Sequence, residues 1–184
     1  MEFPEELEEL ERGKPVFVST ESPDLRELVN TLIEKITEDE KLVVYIGSIK
    51  TSKKVKSMLK ERDIDLKKIL FFDMATKVTG SAPDDVENTV FFDPEDINQV
   101  NMQLDDAVDA VPEDREAVIV FDTISTLSIY NDKEVIIKFL KSLSSKMDNW
   151  DVSSVLLGVE SEMSDELTEA VEDSVEETID ATSE

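Results

Sequence analysis

The chain has 184 residues, 45 acidic against 19 basic, with no histidine and no cysteine, and a formal net charge of −26. Without cysteine there is no disulfide framework, thiol nucleophile or Cys-ligated zinc, and without histidine no Ser-His-Asp triad and no imidazole metal ligand. A hydrophobic content of 40% over this length suits one domain with a sizeable core, and the negative charge disfavours general DNA or RNA binding.

Residues 1–14 (MEFPEELEELERGK) predict a short acidic N-terminal helix ending at Gly13. They lack the basic-then-apolar order of a signal peptide, and no apolar run approaches the roughly 18 residues of a membrane span, so a cytoplasmic protein without a membrane partner is expected. Residues 15–181 are read as a single α/β domain and 182–184 as a tail. Residues 15–19 (PVFVS) form a short buried-strand signal. Ser22-Pro23-Asp24 then predicts a helix start, with serine at the N-cap, proline at the first helical position and an acid in the first turn. That helix runs to about Ile36, carrying Leu25, Leu28, Val29, Leu32, Ile33 and Ile36 on one face.

Residues 41–46 (KLVVYI) are a second strand, Gly47-Ser48 a turn, and 51–60 a basic helix with Val55, Met58 and Leu59 inward. Residues 69–73 (ILFFD) are a third strand, 74–88 a loop, and 89–93 (TVFFD) a fourth, short strand. Asp93-Pro94 is read as the cap of a helix through about Ala110. Residues 117–121 (AVIVF) form the most continuous apolar strand and end in Asp122. A helix over 132–147, a strand over 153–159 (SSVLLGV), a helix over 162–173, and an edge strand or acidic tail over 175–181 complete the series. Apolar strands alternating with helices argue a mainly parallel central sheet with helices on both faces, a three-layer α/β sandwich.

Three strands end in aspartate, Asp73, Asp93 and Asp122, and the carboxyl ends of parallel strands line the rim where ligands bind. Such carboxylates can hold magnesium through water, or simply cap the following turn. For Asp73 and Asp93 the capping reading is preferred. Asp122 lies within Ala117-Val118-Ile119-Val120-Phe121-Asp122-Thr123-Ile124-Ser125-Thr126-Leu127, which looks like a Walker B strand and resembles the corresponding stretch of the KaiC and RadA branch of the RecA-like P-loop ATPases. The element order fits as well, from the first strand at 15–19 to Asp122 about a hundred residues on, so the resemblance covers roughly residues 12–181. It implies a RecA-like three-layer sandwich.

The departures bear on activity. A P-loop needs glycines, so that backbone N–H groups can wrap the phosphates, and a lysine to pair with their charge. The matching stretch, Ser19-Thr20-Glu21-Ser22-Pro23-Asp24-Leu25-Arg26, has neither. Proline removes a donor, and Glu21 and Asp24 place negative charge where a triphosphate would sit. The resemblance also places a catalytic glutamate pair just after the second strand, where this chain has Gly47, Ser48, Ile49 and Lys50. With the cradle and the base both missing, little remains for phosphoryl transfer. The expectation is therefore a non-catalytic pseudo-ATPase with no catalytic residues, cofactor or bound metal, acting as a regulatory or protein-interaction module in archaeal signalling. The alternative is a nucleotide sensor or magnesium-dependent NTPase that uses Asp122, a candidate metal ligand, without a standard P-loop. An unrelated receiver-like fold fits the length and extra strands less well.

Positive charge is concentrated between Lys50 and Lys68, a segment of net +5 against −31 for the rest. Lys50, Lys53, Lys54, Lys56 and Lys60 form a candidate patch for an acidic protein partner, a related ATPase or a second copy, or else a solvated helix face. Trp150, the only tryptophan, is a partner anchor or a residue partly buried under the sheet edge. The acid is spread along the whole chain, which suits a salt-adapted archaeon, where counterions screen the repulsion, or else an ordinary acidic protein with an acidic tail.

Overall fold

The computed structural model describes residues 3–84 and 86–182. Met1 and Glu2 of the expected first helix, Asp85 of the 74–88 loop and Ser183 and Glu184 of the tail lie outside the described residues.

The strands are β1 (Pro15–Thr20), β2 (Leu42–Gly47), β3 (Ile69–Asp73), β4 (Thr89–Phe91), β5 (Ala117–Asp122), β6 (Ser153–Val159) and β7 (Glu177–Asp180). They form one sheet in the order β4-β3-β2-β5-β6-β1-β7, and every neighbouring pair is parallel. The helices are α1 (Ser22–Glu38), α2 (Ser52–Lys60), α3 (Thr76–Thr79), α4 (Ile97–Asp109), α5 (Lys133–Trp150) and α6 (Asp165–Glu172).

The two-residue period of the strands sorts their side chains into two cores. Val43, Tyr45, Val118, Val120, Val155 and Leu157 face Leu25, Leu28, Leu32 and Ile36 of α1 and Val55 and Leu59 of α2. Val44, Ile46, Ile119, Phe121 and Leu156 face Val100 and Leu104 of α4, Phe139, Leu140 and Leu143 of α5, and Leu167 and Val171 of α6. Both faces of the sheet are covered, which is why β5 and β6 are buried along their whole length.

Several boundaries differ from expectation. Residues 3–14 hold only a 3-10 turn over Glu5–Leu7, not a helix. Glu5, Glu8 and Glu9 would stack at i, i+3 and i+4 and repel, so the segment is held by packing: Leu7 is buried and Phe3 and Leu10 lie against the α1 core. α1 begins one residue earlier than expected. Its N-cap is Glu21, in an extended conformation, and Ser22 is already helical. Pro23 is tolerated because N–H groups of the first turn have no intrahelical acceptor.

Asp93 does not cap α4. Its carbonyl and carboxylate accept bonds from the Asp96 and Glu95 N–H groups, closing a turn, and α4 starts at Ile97 with Asp96 as N-cap. The 74–88 segment contains α3, nucleated by the Asp73 carboxylate. α5 extends to Trp150 and ends at Asp151 in the left-handed conformation. The 175–181 segment provides β7, which extends the sheet beside β1.

Candidate functional site

The carboxyl ends of β1, β2, β3, β5 and β6 form one rim, and the expected site residues lie along it. β1 ends at Thr20, which is buried, and α1 begins at Ser22. A single residue, Glu21, therefore connects strand and helix. Its carbonyl accepts the Asp24 and Leu25 N–H groups at 3.1 and 3.2 Å, closing the first helical turn. Ser19 is held inside the sheet, between Gly158 on one side and Asp180 on the other. Leu25 is 4% exposed and belongs to the core, while Glu21, Pro23 and Arg26 are exposed. A phosphate cradle requires several consecutive N–H groups turned towards one anion. This junction is one residue long, and that residue is an exposed acid.

On the other half of the rim, β2 lies between β3 and β5, and Gly47 pairs with Asp73 on one side and Asp122 on the other. The two aspartates, both 1% exposed, have different environments. Asp73 is fully occupied. Its Oδ1 accepts the Ala75 and Thr76 N–H groups at 2.9 and 2.8 Å, and its Oδ2 accepts the Thr76 hydroxyl at 2.6 Å and the Ser52 N–H at 2.7 Å. It thus ties the end of β3 to the first turn of α2 and to α3, which is the capping role the sequence suggests.

The Asp122 carboxylate has one hydrogen-bond partner among the described residues. The Tyr45 hydroxyl donates to Oδ2 at 2.5 Å, and Oδ1 has no hydrogen-bond partner among the described residues. Burial raises the Asp122 pKa above the ordinary carboxylate value, against the Tyr45 bond and the positive charge of Lys50, which lower it. Burial and the adjacent carboxylate raise the Tyr45 pKa well above that of a free phenol, so the hydroxyl keeps its proton at neutral pH. Tyr45 and Gly47 project from the same face of β2. A Cβ on Gly47 would lie 2.8 Å from Tyr45 Cε1, so the glycine makes room for the ring that reaches Asp122.

Beyond Asp122 the chain is pinned by hydroxyls, and the Asp122–Thr123 peptide is cis. Ser48 Oγ accepts the Thr123 N–H at 2.9 Å, donates to the Thr123 carbonyl at 3.0 Å and pairs with the Thr126 hydroxyl. Ser125 reaches Glu162 at 3.3 Å. Ser48 occupies one of the positions where the resemblance places a catalytic acid, and here its hydroxyl holds the β5 exit. Tyr45 is the site residue that sequence reasoning misses. Its signal is a phenol inside the apolar run Leu42–Ile46, since a buried tyrosine usually finds a polar partner for its hydroxyl.

A magnesium ion held through water needs an open carboxylate face. Asp122 is enclosed and bonded to Tyr45, and the described residues hold no group of three metal-ligating side chains. These residues do not fit a Walker B magnesium site.

The basic residues separate on the surface. Lys53, Lys56 and Lys60 follow one another along one face of α2, while Lys54 is exposed and Lys50 half-buried before the helix. Lys56 is not free. Its Nζ donates to the Glu87 carbonyl and the Thr89 hydroxyl, both at 2.7 Å, lies 4.9 Å from the centre of the Phe71 ring, and has its pKa lowered by burial. Arg62 pairs with Glu27 and Glu34 of α1, and Lys68 with Glu40 and the Thr37 carbonyl. Trp150 is half-buried at the end of α5, with Lys146 Nζ 5.4 Å from its ring.

Neither a protein-family model nor a curated protein matches the sequence. Solved structures do match the fold. The flagellar accessory protein FlaH from Methanocaldococcus jannaschii aligns over 93% of this chain and 72% of its own, with TM-score 0.57 and 14% identity. A KaiC-like protein from Pyrococcus horikoshii OT3 aligns over 98% and 73%, with TM-score 0.61 and 14% identity. An uncharacterized protein from Pyrococcus horikoshii, solved in complex with an unknown peptide, aligns over 94% and 78%, with TM-score 0.68 and 10% identity. The chain has the RecA-like three-layer fold that its Walker B-like strand suggests.

Proposed function

We propose that this chain is a non-catalytic RecA-like domain, a pseudo-ATPase that works as a regulatory module through contacts with another protein. The observation that carries the reading is the one-residue β1–α1 junction, where Glu21 stands in place of a phosphate-wrapping loop. The enclosure of Asp122 under the Tyr45 hydroxyl adds to it, because phosphoryl transfer depends on positioned cations and donors around the transferred group. A role in protein contacts is in keeping with the neighbours, one described as a flagellar accessory protein and one solved with a peptide. No helix among the described residues is long and apolar enough to cross a membrane, and the proposed setting is cytoplasmic signalling in a salt-adapted archaeon.

A second reading, a nucleotide sensor or magnesium-dependent NTPase built on Asp122, has in its favour the partnerless Oδ1 of that residue. Steady-state phosphate release from ATP with magnesium, at high potassium chloride, separates the two. The pseudo-ATPase reading expects the parent and Asp122→Asn to be equally inactive. Turnover by the parent that Asp122→Asn abolishes would replace it with the second reading.

A further inference from the structure

A cleft of about 460 Å³ opens beside α2, within the range of peptide and ligand pockets. One wall is the lysine face of α2, Lys53, Lys56 and Lys60, and the other is apolar, with Pro83, Val86 and Phe91. No acidic side chain lines it among the described residues, in a chain with 45 acids and 19 bases. Lys56 is committed to Glu87 and Thr89 and braces the cleft, whereas Lys53 and Lys60 are exposed and form no ion pair among the described residues.

We infer that this cleft is the docking site for a short acidic peptide segment of a partner protein, with one apolar side chain on Pro83, Val86 and Phe91 and its carboxylates on Lys53 and Lys60. Charge complementarity selects the occupant. The lysine wall attracts carboxylates over a short range, and the strongly negative body around it repels any long polyanion, so nucleic acid is disfavoured. A nucleotide is disfavoured by the start of α2. The Ser52 N–H is already bonded to the buried Asp73 carboxylate at 2.7 Å and the Lys54 N–H to Thr51, so two donors of that helix end are taken and a buried anion lies behind them. The apolar wall supplies the contact that desolvates the lysines around it.

The inference rests on the reading of the chain as a protein-contact module, and it names the contact. The probe is a fluorescein-labelled peptide of alternating glutamate and serine around a central leucine, titrated with the full chain and followed by anisotropy. Controls replace the leucine by serine or every glutamate by lysine. The leucine–glutamate peptide is expected to bind, and both controls to lose binding. Lys53→Glu/Lys60→Glu should weaken binding by at least about tenfold, and Lys53→Gln/Lys60→Gln by less. Both variants should fold, since both side chains are exposed. Raising the ionic strength from about 0.15 M to about 1 M should weaken it further. In ¹⁵N spectra the shifts should gather on α2 and on Val86 and Phe91. Absence of binding, binding indifferent to the double reversal, or displacement of the peptide by ATP alone would overturn the inference. If ATP turnover is also absent, the cleft assignment alone fails, whereas turnover would remove the non-catalytic reading whether or not the peptide binds.

Discussion

Tyr45 and Asp122 set the character of the rim, because the carboxylate is enclosed and the phenol gives its only hydrogen bond among the described residues. Removing that donor leaves a buried carboxylate with none, a loss of about 1–3 kcal/mol for a hydrogen bond to a charged group. Tyr45→Phe should therefore lower stability at neutral pH by that amount in urea unfolding. The pH dependence has a definite sign. Asp122 has its folded pKa raised by burial, so its contribution to stability is present below the ordinary carboxylate value of about 4 and is lost as pH rises through the folded value. Tyr45→Phe raises that folded value further, so its penalty should be small near about pH 4 and grow towards neutrality. In the Asp122→Asn background, which carries no charge, the penalty should shrink. A penalty independent of pH, and unchanged by Asp122→Asn, would show that the ring packing and not the hydroxyl matters.

At the scale of elements, Asp73 joins three of them. From the end of β3 its four bonds reach the first turn of α2 and the start of α3. Asp73→Ala leaves those donors without their acceptor and should cost roughly 2–4 kcal/mol, read by chemical denaturation. Gly47→Ala should cost about 1–3 kcal/mol, because its methyl group would displace the Tyr45 ring.

Most elements were legible in the sequence. The apolar runs Val43–Ile46 and Val118–Phe121, and the i, i+3, i+4 spacing of α1 and α5, carry their own period. The boundaries were less so. Asp93 and Ser22 are plausible caps by residue type, but their roles depend on which backbone groups lie within reach, and there Asp96 and Glu21 take the capping positions. The acidic N-terminal segment reads as a helix ending at Gly13, yet its described residues hold a 3-10 turn with Leu7 buried. Of the site, Asp122 and the stretch from Ser19 to Arg26 were legible from a motif and its missing glycines. The partnership of Tyr45 with Asp122, 77 residues apart, was not, since it depends on strand order. The lysine patch was legible as charge, but the commitment of Lys56 to backbone and hydroxyl acceptors was not.

For the whole molecule, a net charge of −26 makes self-repulsion a standing cost of the compact state. The ion pairs are mostly exposed, as with Arg12–Glu116 and Lys35–Glu8, where water and salt screen the attraction. Screening should therefore relieve more repulsion than it removes attraction. Raising potassium chloride from about 0.1 M to about 1 M shortens the Debye length from about 10 Å to about 3 Å and should raise Tm by several degrees. A Tm that falls would mean the ion pairs outweigh the repulsion.

The central claim is that the RecA-like rim of this chain has no place for a nucleotide triphosphate, because one acidic residue replaces the loop between β1 and α1. Calorimetric titration of the full chain with ATP and magnesium at high potassium chloride tests it most directly. The account predicts no saturable heat, for the parent and for Asp122→Asn alike. One-to-one binding by the parent, lost in Asp122→Asn, would contradict it.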